Sequence, residues 1–135
     1  MATPGRREPR FAVRISASVW REEVERYEEG SEARLAADRE RPHLERDGLA
    51  VGQVEPCAEF GPEGTRLKGL VKVYVPISDA PASERPFAFV FDGGRGQRVP
   101  YLALVAFGER HPRRSTTRSV YERAHRRLHG RYPDQ

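Results

Sequence analysis

The run LKGLVKVYVPI at residues 67–77 decides how the rest of the chain is read. Val71, Val73, Val75 and Ile77 alternate with Lys72, Tyr74 and Pro76, the period-2 pattern of a strand with one face in a core. The Lys68-Gly69 step ahead of it reads as a bend. Working outward, Ser78 to Pro86 is a loop with two prolines, and Phe87-Ala-Phe-Val-Phe91 is a second strand. Asp92-Gly-Gly-Arg-Gly96 is a hairpin connection that opens no helix, so it is a turn rather than a phosphate loop. Tyr101 to Phe107 is apolar on both parities, as a central strand requires. Beyond a basic loop, Val120, Tyr121, Ala124 and Leu128 mark the inner stripe of a last helix, with Arg123, Arg126 and Arg127 on its outer side.

In the other direction, Gly48 to Thr65 is mostly loop, with a short strand near Leu49–Val54. Before it, Trp20, Val24, Tyr27, Ser31 and Leu35 recur at helical spacing. Ser16 or Ser18 can cap a first helix, and Gly30-Ser31 reads as a C′ glycine followed by a new N-cap. The expectation is a helical pair over roughly 17–29 and 32–41, the second ended by Pro42. Phe11, Val13 and Ile15 form a short first strand, and residues 1–10 read as a flexible tail. The fold class is therefore α+β: an N-terminal strand and helical hairpin, a small antiparallel sheet and a C-terminal helix, all in one domain over 11–135. Helices should cover one face of the sheet. The other should display Arg14, Lys72, Tyr74 and Ala88.

Composition narrows the function classes. No run of eighteen apolar residues exists, so no membrane span is expected. The charged, proline-broken start lacks the apolar stretch of a secretory signal. Cys57 is the single cysteine, which excludes an intrachain disulfide and points to a reducing, cytoplasmic setting. It has no His or Asp nearby in sequence and reads as a buried small residue rather than a nucleophile. The basic residues are 22 Arg and 2 Lys. From Glu109 to Gln135 there are eight Arg against three acids, whereas the remaining chain is nearly neutral. An excess confined to one end is a partner signal for nucleic acid. The acids of residues 22–47 form either a solvated helical face or a counterpart to that basic end. His125 and His129 stand at metal-ligand spacing, but the surrounding arginines repel a cation, so neither a metal nor a cofactor is expected.

Three stretches together resemble the RelE/ParE superfamily of small toxins from toxin–antitoxin pairs. Leu67-Lys-Gly-Leu70 and the alternating strand after it resemble the family's L-(K/R)-G element and second strand. Phe87 to Phe91 stands where the family has its third strand. Tyr101 to Gly108, Glu109-Arg110, Ser119-Val-Tyr121 and Ala124-His-Arg-Arg-Leu128 are similar to the RelE ending. The likeness spans roughly the last 70 residues. It implies a toxin held inactive by a cognate antitoxin protein, cutting mRNA on the ribosome without a metal. In that reading Arg110 matches the family's arginine after the fourth strand and Tyr121 its stacking tyrosine. Lys72 lies near the strand-two lysines. The sequence departs from the family where the second lysine falls on or near Tyr74 or Pro76 and the third-strand arginine falls on Ala88.

RNA cleavage by 2′-OH attack needs a base, stabilisation of the phosphate charge and help for the leaving 5′-oxygen. Arginines supply the second through paired N–H donors, but with a pKa above about 12 they shuttle protons poorly. Lys72, if neighbouring arginines depress its pKa, and His111 are the candidate bases. Arg110, Lys72, Tyr121 and His111 thus form the candidate catalytic set. Arg113, Arg114, Arg118, Lys68 and Tyr74 are the candidate RNA-binding set. Blander readings stand beside these: Tyr121 as a core tyrosine and His111 as a solvated loop histidine. Two other functions remain open. One is a ParE-like, non-nucleolytic toxin inhibiting DNA gyrase; the other is a basic RNA-binding accessory domain without activity.

Overall fold

The alternating run becomes strand β4, Leu70–Tyr74, near one edge of a sheet that has six strands among the described residues. The computed structural model describes residues 10–58, 67–77, 85–93, 101–114 and 116–129. Its other elements are β1 (Arg10–Arg14), α1 (Ala17–Glu23), α2 (Glu32–Asp47), β2 (Leu49–Ala50), β3 (Glu55–Pro56), β5 (Phe87–Asp92), β6 (Tyr101–Glu109) and α3 (Val120–His129). The strand order is β2-β1-β6-β5-β4-β3. Every neighbouring pair is antiparallel except β1 and β6, which run parallel with Ala12 opposite Tyr101. The expected α+β class holds. The sheet is mixed rather than purely antiparallel, because the first strand lies beside the last one. Among the described residues no helix is long and apolar enough to cross a membrane.

The strand pattern sorts cleanly onto two faces. Phe87, Phe89 and Phe91 of β5 face the helical pair, with Trp20 stacked on Phe89 at 6.4 Å and Phe107 tilted against it at 4.9 Å. Ala88 and Val90 face the other way, toward Val120 and Ala124 of α3. A register shift between Val90 and Phe91 reverses the parity of β6. Leu104 and Phe107 therefore share one face, and Val105 and Ala106 the other. This is why Tyr101 to Phe107 reads as apolar at every position. The second face of the sheet is not open as expected: α3 covers β5 and β6, and Ala88 is completely buried beneath it.

Four other expectations need correction. The tail does not reach residue 10: Arg10 pairs with Ala50 in the sheet and donates from Nε to the Asp47 carbonyl at 2.8 Å. Residues 1–9 lie outside the described residues, as do residues 94–96 of the Gly-rich connection. Helix α1 stops at Glu23, far short of 29. It is capped by Ser16, whose Oγ accepts from the Val19 N–H, and residues 24–30 turn so that Tyr27 packs edge-on against Phe87 and Phe107. Helix α2, capped by Ser31, runs through Pro42 to Asp47. Proline costs one helical hydrogen bond there, but Asp38, whose carbonyl would have accepted it, is exposed to water, and buried Leu44 anchors the turn beyond. The stripe on α2 is Ala33, Ala36, Ala37 and Leu44, and Leu35 points outward, 55% exposed.

Gly48 ends α2 with φ +65°. A Cβ there would collide with the carbonyl oxygen of Phe11 on β1. Gly48→Ala is therefore expected to destabilise the fold by more than about 1 kcal/mol. A lower urea midpoint of unfolding checks this; an unchanged midpoint would show that the β1 backbone yields without cost.

Candidate nucleic-acid interface

On the α3 side of the sheet, residues alternate along β4, so Lys72 and Tyr74 emerge on the same face. Arg110 follows β6 directly. The pairing of Phe87 with Glu109 lays Arg85-Pro86 alongside it. The Arg110 N–H donates to the Pro86 carbonyl at 2.8 Å and its Nη1 to the Arg85 carbonyl at 2.9 Å. So held, the guanidinium lies over the Tyr74 ring, with Cζ 3.8 Å from the centroid. Lys72 Nζ stands 5.4 Å from the centroids of both Tyr74 and Tyr121, the latter carried on the first turn of α3. Four predicted residues from three elements thus form one cluster in which cations and aromatic rings alternate. Each interaction of this kind is worth about 0.5–2 kcal/mol, more where water is excluded.

Lys72 does not carry the depressed pKa that a base would need. Burial alone pushes it down, but a hydrogen bond with Tyr74 and the neighbouring Tyr121, Tyr74 and Cys57 groups outweigh that, and the amine sits above its ordinary 10.5. The expected arginine field fails because the residues around the amine are phenols and a thiol. Lys72 is an ammonium at neutral pH, fit to hold an anion and unfit to accept a proton.

Beside the cluster a groove of about 450 Å3 is lined by Arg85, Arg110, His111, Arg113 and Arg114, with Glu32 and Glu109 among its acids. Four arginines against two glutamates make it attractive to phosphate. His111, Arg113 and Arg114 are exposed at its rim. Two of the predicted RNA-binding residues lie elsewhere. Lys68 is exposed in the turn before β4, at the opposite end of that strand from Tyr74. Arg118 lines a separate cavity with α3.

Arg123 and Arg127, read as outer residues of the last helix, turn inward onto α1. Arg123 Nε and Nη2 donate to the two oxygens of Glu23 at 2.9 and 2.8 Å. Arg127 Nη2 donates to Glu23 at 3.0 Å and lies 2.7 Å from Glu22 Oε2. The Phe107 N–H also donates to Glu23, and Arg26 Nη2 donates to the Phe107 carbonyl. The acids at the start of the 22–47 stretch are, at Glu22 and Glu23, the intramolecular counterpart of the basic end. Leu128, assigned to the inner stripe, is 42% exposed, and the fully buried His125 takes its place. The rings of His125 and His129 lie 4.7 Å apart.

Sequence reading missed Arg85, and it offered the acids of 22–47 as a counterpart to the basic end without singling out Glu23 or Glu32. Pairing β5 with β6 in register would have placed Arg85 beside Arg110, but nothing local marks it. Cys57, buried at the end of β3, has its thiol pushed up to about 11 by burial. At pH 8 it should alkylate with iodoacetamide about a hundredfold more slowly than an ordinary cysteine; mass-spectrometric labelling at the free-thiol rate would contradict its buried position. Among the described residues no group of three His, Cys, Asp or Glu is placed to hold a metal ion. No family model matches the chain, and no curated protein or solved structure matches it.

Proposed function

We propose that the protein is a RelE-like toxin of a toxin–antitoxin pair that binds mRNA and cuts it on the ribosome without a metal. The observation that carries this reading is the convergence of Lys72, Tyr74, Arg110 and Tyr121 on one side of the sheet, beside an arginine-lined groove. The order of elements supports it too: a strand, a helical pair, antiparallel strands and a last helix. The partners in this reading are mRNA, the ribosome and the antitoxin.

The roles follow from the local chemistry. Arg110 and Lys72 hold the scissile phosphate and stabilise the charge on its non-bridging oxygens as O2′ attacks phosphorus. The P–O5′ bond breaks, leaving a 2′,3′-cyclic phosphate, and the departing 5′-oxygen takes a proton, for which the Lys72 ammonium is the donor. Tyr121 or Tyr74 stacks on a base, an interaction worth about 1–3 kcal/mol. His111, on the groove rim, is the group left to take the 2′-OH proton.

Translating ribosomes incubated with the protein should yield new mRNA 5′ ends, and Arg110→Ala and Lys72→Ala should suppress them. One observation favours a second, non-nucleolytic reading. Ala88 lies sealed beneath α3, so no third-strand cation reaches the site. Intact mRNA together with inhibited gyrase supercoiling would select the ParE-like alternative, and intact mRNA with RNA binding alone the accessory domain.

A further inference from the structure

Tyr74 ends β4 two positions after Lys72, so both side chains leave the same face of the strand. Its partner across the sheet on β5 is Ala88, which brings no charge to the ring. Two cations from this face use the ring. The Arg110 guanidinium lies on it, Cζ 3.8 Å from the centroid, and Lys72 Nζ stands 5.4 Å from the same point. The phenol also hydrogen-bonds the Lys72 amine. Glu55, directly opposite Lys72 on β3, offers the amine a full negative charge, yet the amine is placed at Tyr74 and Tyr121. An ammonium and a guanidinium brought to one ring repel each other. The negative face of the ring and the phenol oxygen offset that repulsion. The Arg85 carbonyl fixes one nitrogen of Arg110, at 2.9 Å, and the ring fixes the plane of the whole group.

We propose that Tyr74 is a positioning residue, which holds the Arg110 guanidinium and the Lys72 ammonium together at the scissile phosphate and leaves base stacking to Tyr121. The inference rests on the RNA cleavage proposed above and names the part that Tyr74 plays in it. A half-buried ring with a guanidinium 3.8 Å from its centroid has given that face to the protein's own cation. Tyr121 meets an ammonium at 5.4 Å instead, a looser contact that a base can share. Holding both cations before RNA arrives matters for rate. Donors fixed in advance need no reordering as charge develops on the phosphate oxygens. Tyr74 thus acts through Arg110 and Lys72 and touches no reacting atom itself.

Two variants separate the ring from its hydroxyl. Tyr74→Leu removes both, and Tyr74→Phe keeps the ring. Single-turnover cleavage of mRNA on translating ribosomes should fall about three- to thirtyfold in Tyr74→Leu. The loss should lie in kcat, with KM little changed. Tyr74→Phe should recover most of it and stay about two- to fivefold below wild type, since the hydrogen bond to Lys72 is gone. Tyr121→Leu should instead raise KM at least about fivefold. A readout free of catalysis accompanies these. The chain has two lysines, so 13C-lysine labelling gives one Cε signal for Lys72 and one for Lys68. Ring currents should shift the Lys72 Hε and Arg110 Hδ protons upfield in wild type, the latter assigned by its loss in Arg110→Lys. Tyr74→Leu should abolish the Arg110 shift and shrink that of Lys72, and Tyr74→Phe should keep the Arg110 shift. Shifts that survive Tyr74→Leu overturn the proposal, and so does a Tyr74→Leu defect confined to KM. Wild-type protein that cuts no mRNA overturns the proposed function instead, and the proton shifts alone then decide whether Tyr74 holds the two cations.

Discussion

Glu23→Ala is expected to lower the free energy of unfolding by about 3–5 kcal/mol, the usual consequence of removing one partner from a buried ion pair. That is a large part of the about 5–15 kcal/mol available to a domain of this kind. The reason is position. Glu23 sits at the edge of β6, where β1 has already ended its pairing at Ala103, and satisfies the buried Phe107 N–H that no strand reaches. It also binds Arg123 and Arg127 and so fastens α3, on one face of the sheet, to α1, on the other. Removal leaves the Phe107 N–H without its acceptor and takes from Arg123 its carboxylate, while Arg127 keeps only Glu22. Urea unfolding measures the loss; a change below about 1 kcal/mol would mean that water replaces the carboxylate freely. The same group adds an acid sensitivity. Burial raises its pKa, but Arg123, Arg127 and the Phe107 N–H more than reverse this and hold the carboxyl below the ordinary 4.5. Its stabilisation is therefore complete above 4.5 and drains away as the pH falls through the lower folded value. Glu23→Gln should flatten that part of the stability curve.

The second large effect concerns the cluster. Under the proposed activity, Arg110→Ala should reduce mRNA cleavage by about 10²–10³-fold, the range seen when a preorganised donor to a developing oxyanion is lost. Arg110→Lys should recover little of it, because a lysine cannot keep the bond to the Arg85 carbonyl, lie flat over Tyr74 and still present two donors to phosphate. Primer extension on translated mRNA gives the rate. Undiminished cutting by both variants would remove Arg110 from the site. Lys72→Ala should act in the same direction. Because the Lys72 pKa lies above 10.5, its contribution should stay constant between about pH 7 and 9. A rate that climbs with deprotonation in that window and vanishes in Lys72→Ala would restore the lysine to the role of base.

The parts of the fold legible in the sequence are those where local pattern and burial agree. β4 shows its alternation, and the two serine caps announce the starts of α1 and α2. β6 gives itself away by being apolar on both parities, although the bulge that produces this does not show. What stayed hidden depends on residues distant in sequence. Nothing near Phe11 says that β1 will lie parallel to β6, and nothing near Glu23 says that it will meet Arg123. Covering of the second sheet face did leave a trace. Ala88 and Ala106 are small where the opposite face carries phenylalanine and leucine, and Ala124 is small on the helix that meets them, as a close approach requires. The site was legible in its composition, and Lys72, Tyr74, Arg110 and Tyr121 do meet. Its electrostatics were not, because the protonation of Lys72 is set by which groups surround the amine rather than by the count of arginines in the chain.

Pairing between the first and last strands has a kinetic corollary. Ala12 and Tyr101 are neighbours in space but 89 positions apart along the chain. Closing so long a loop is entropically costly and slows folding. During synthesis the amino-terminal helices therefore lack their sheet until β6 emerges, and Lys72 lacks Tyr121 until α3 follows. A nascent polypeptide of this topology therefore brings Lys72 and Tyr121 together only at a late step of its synthesis, after most of the chain has been made.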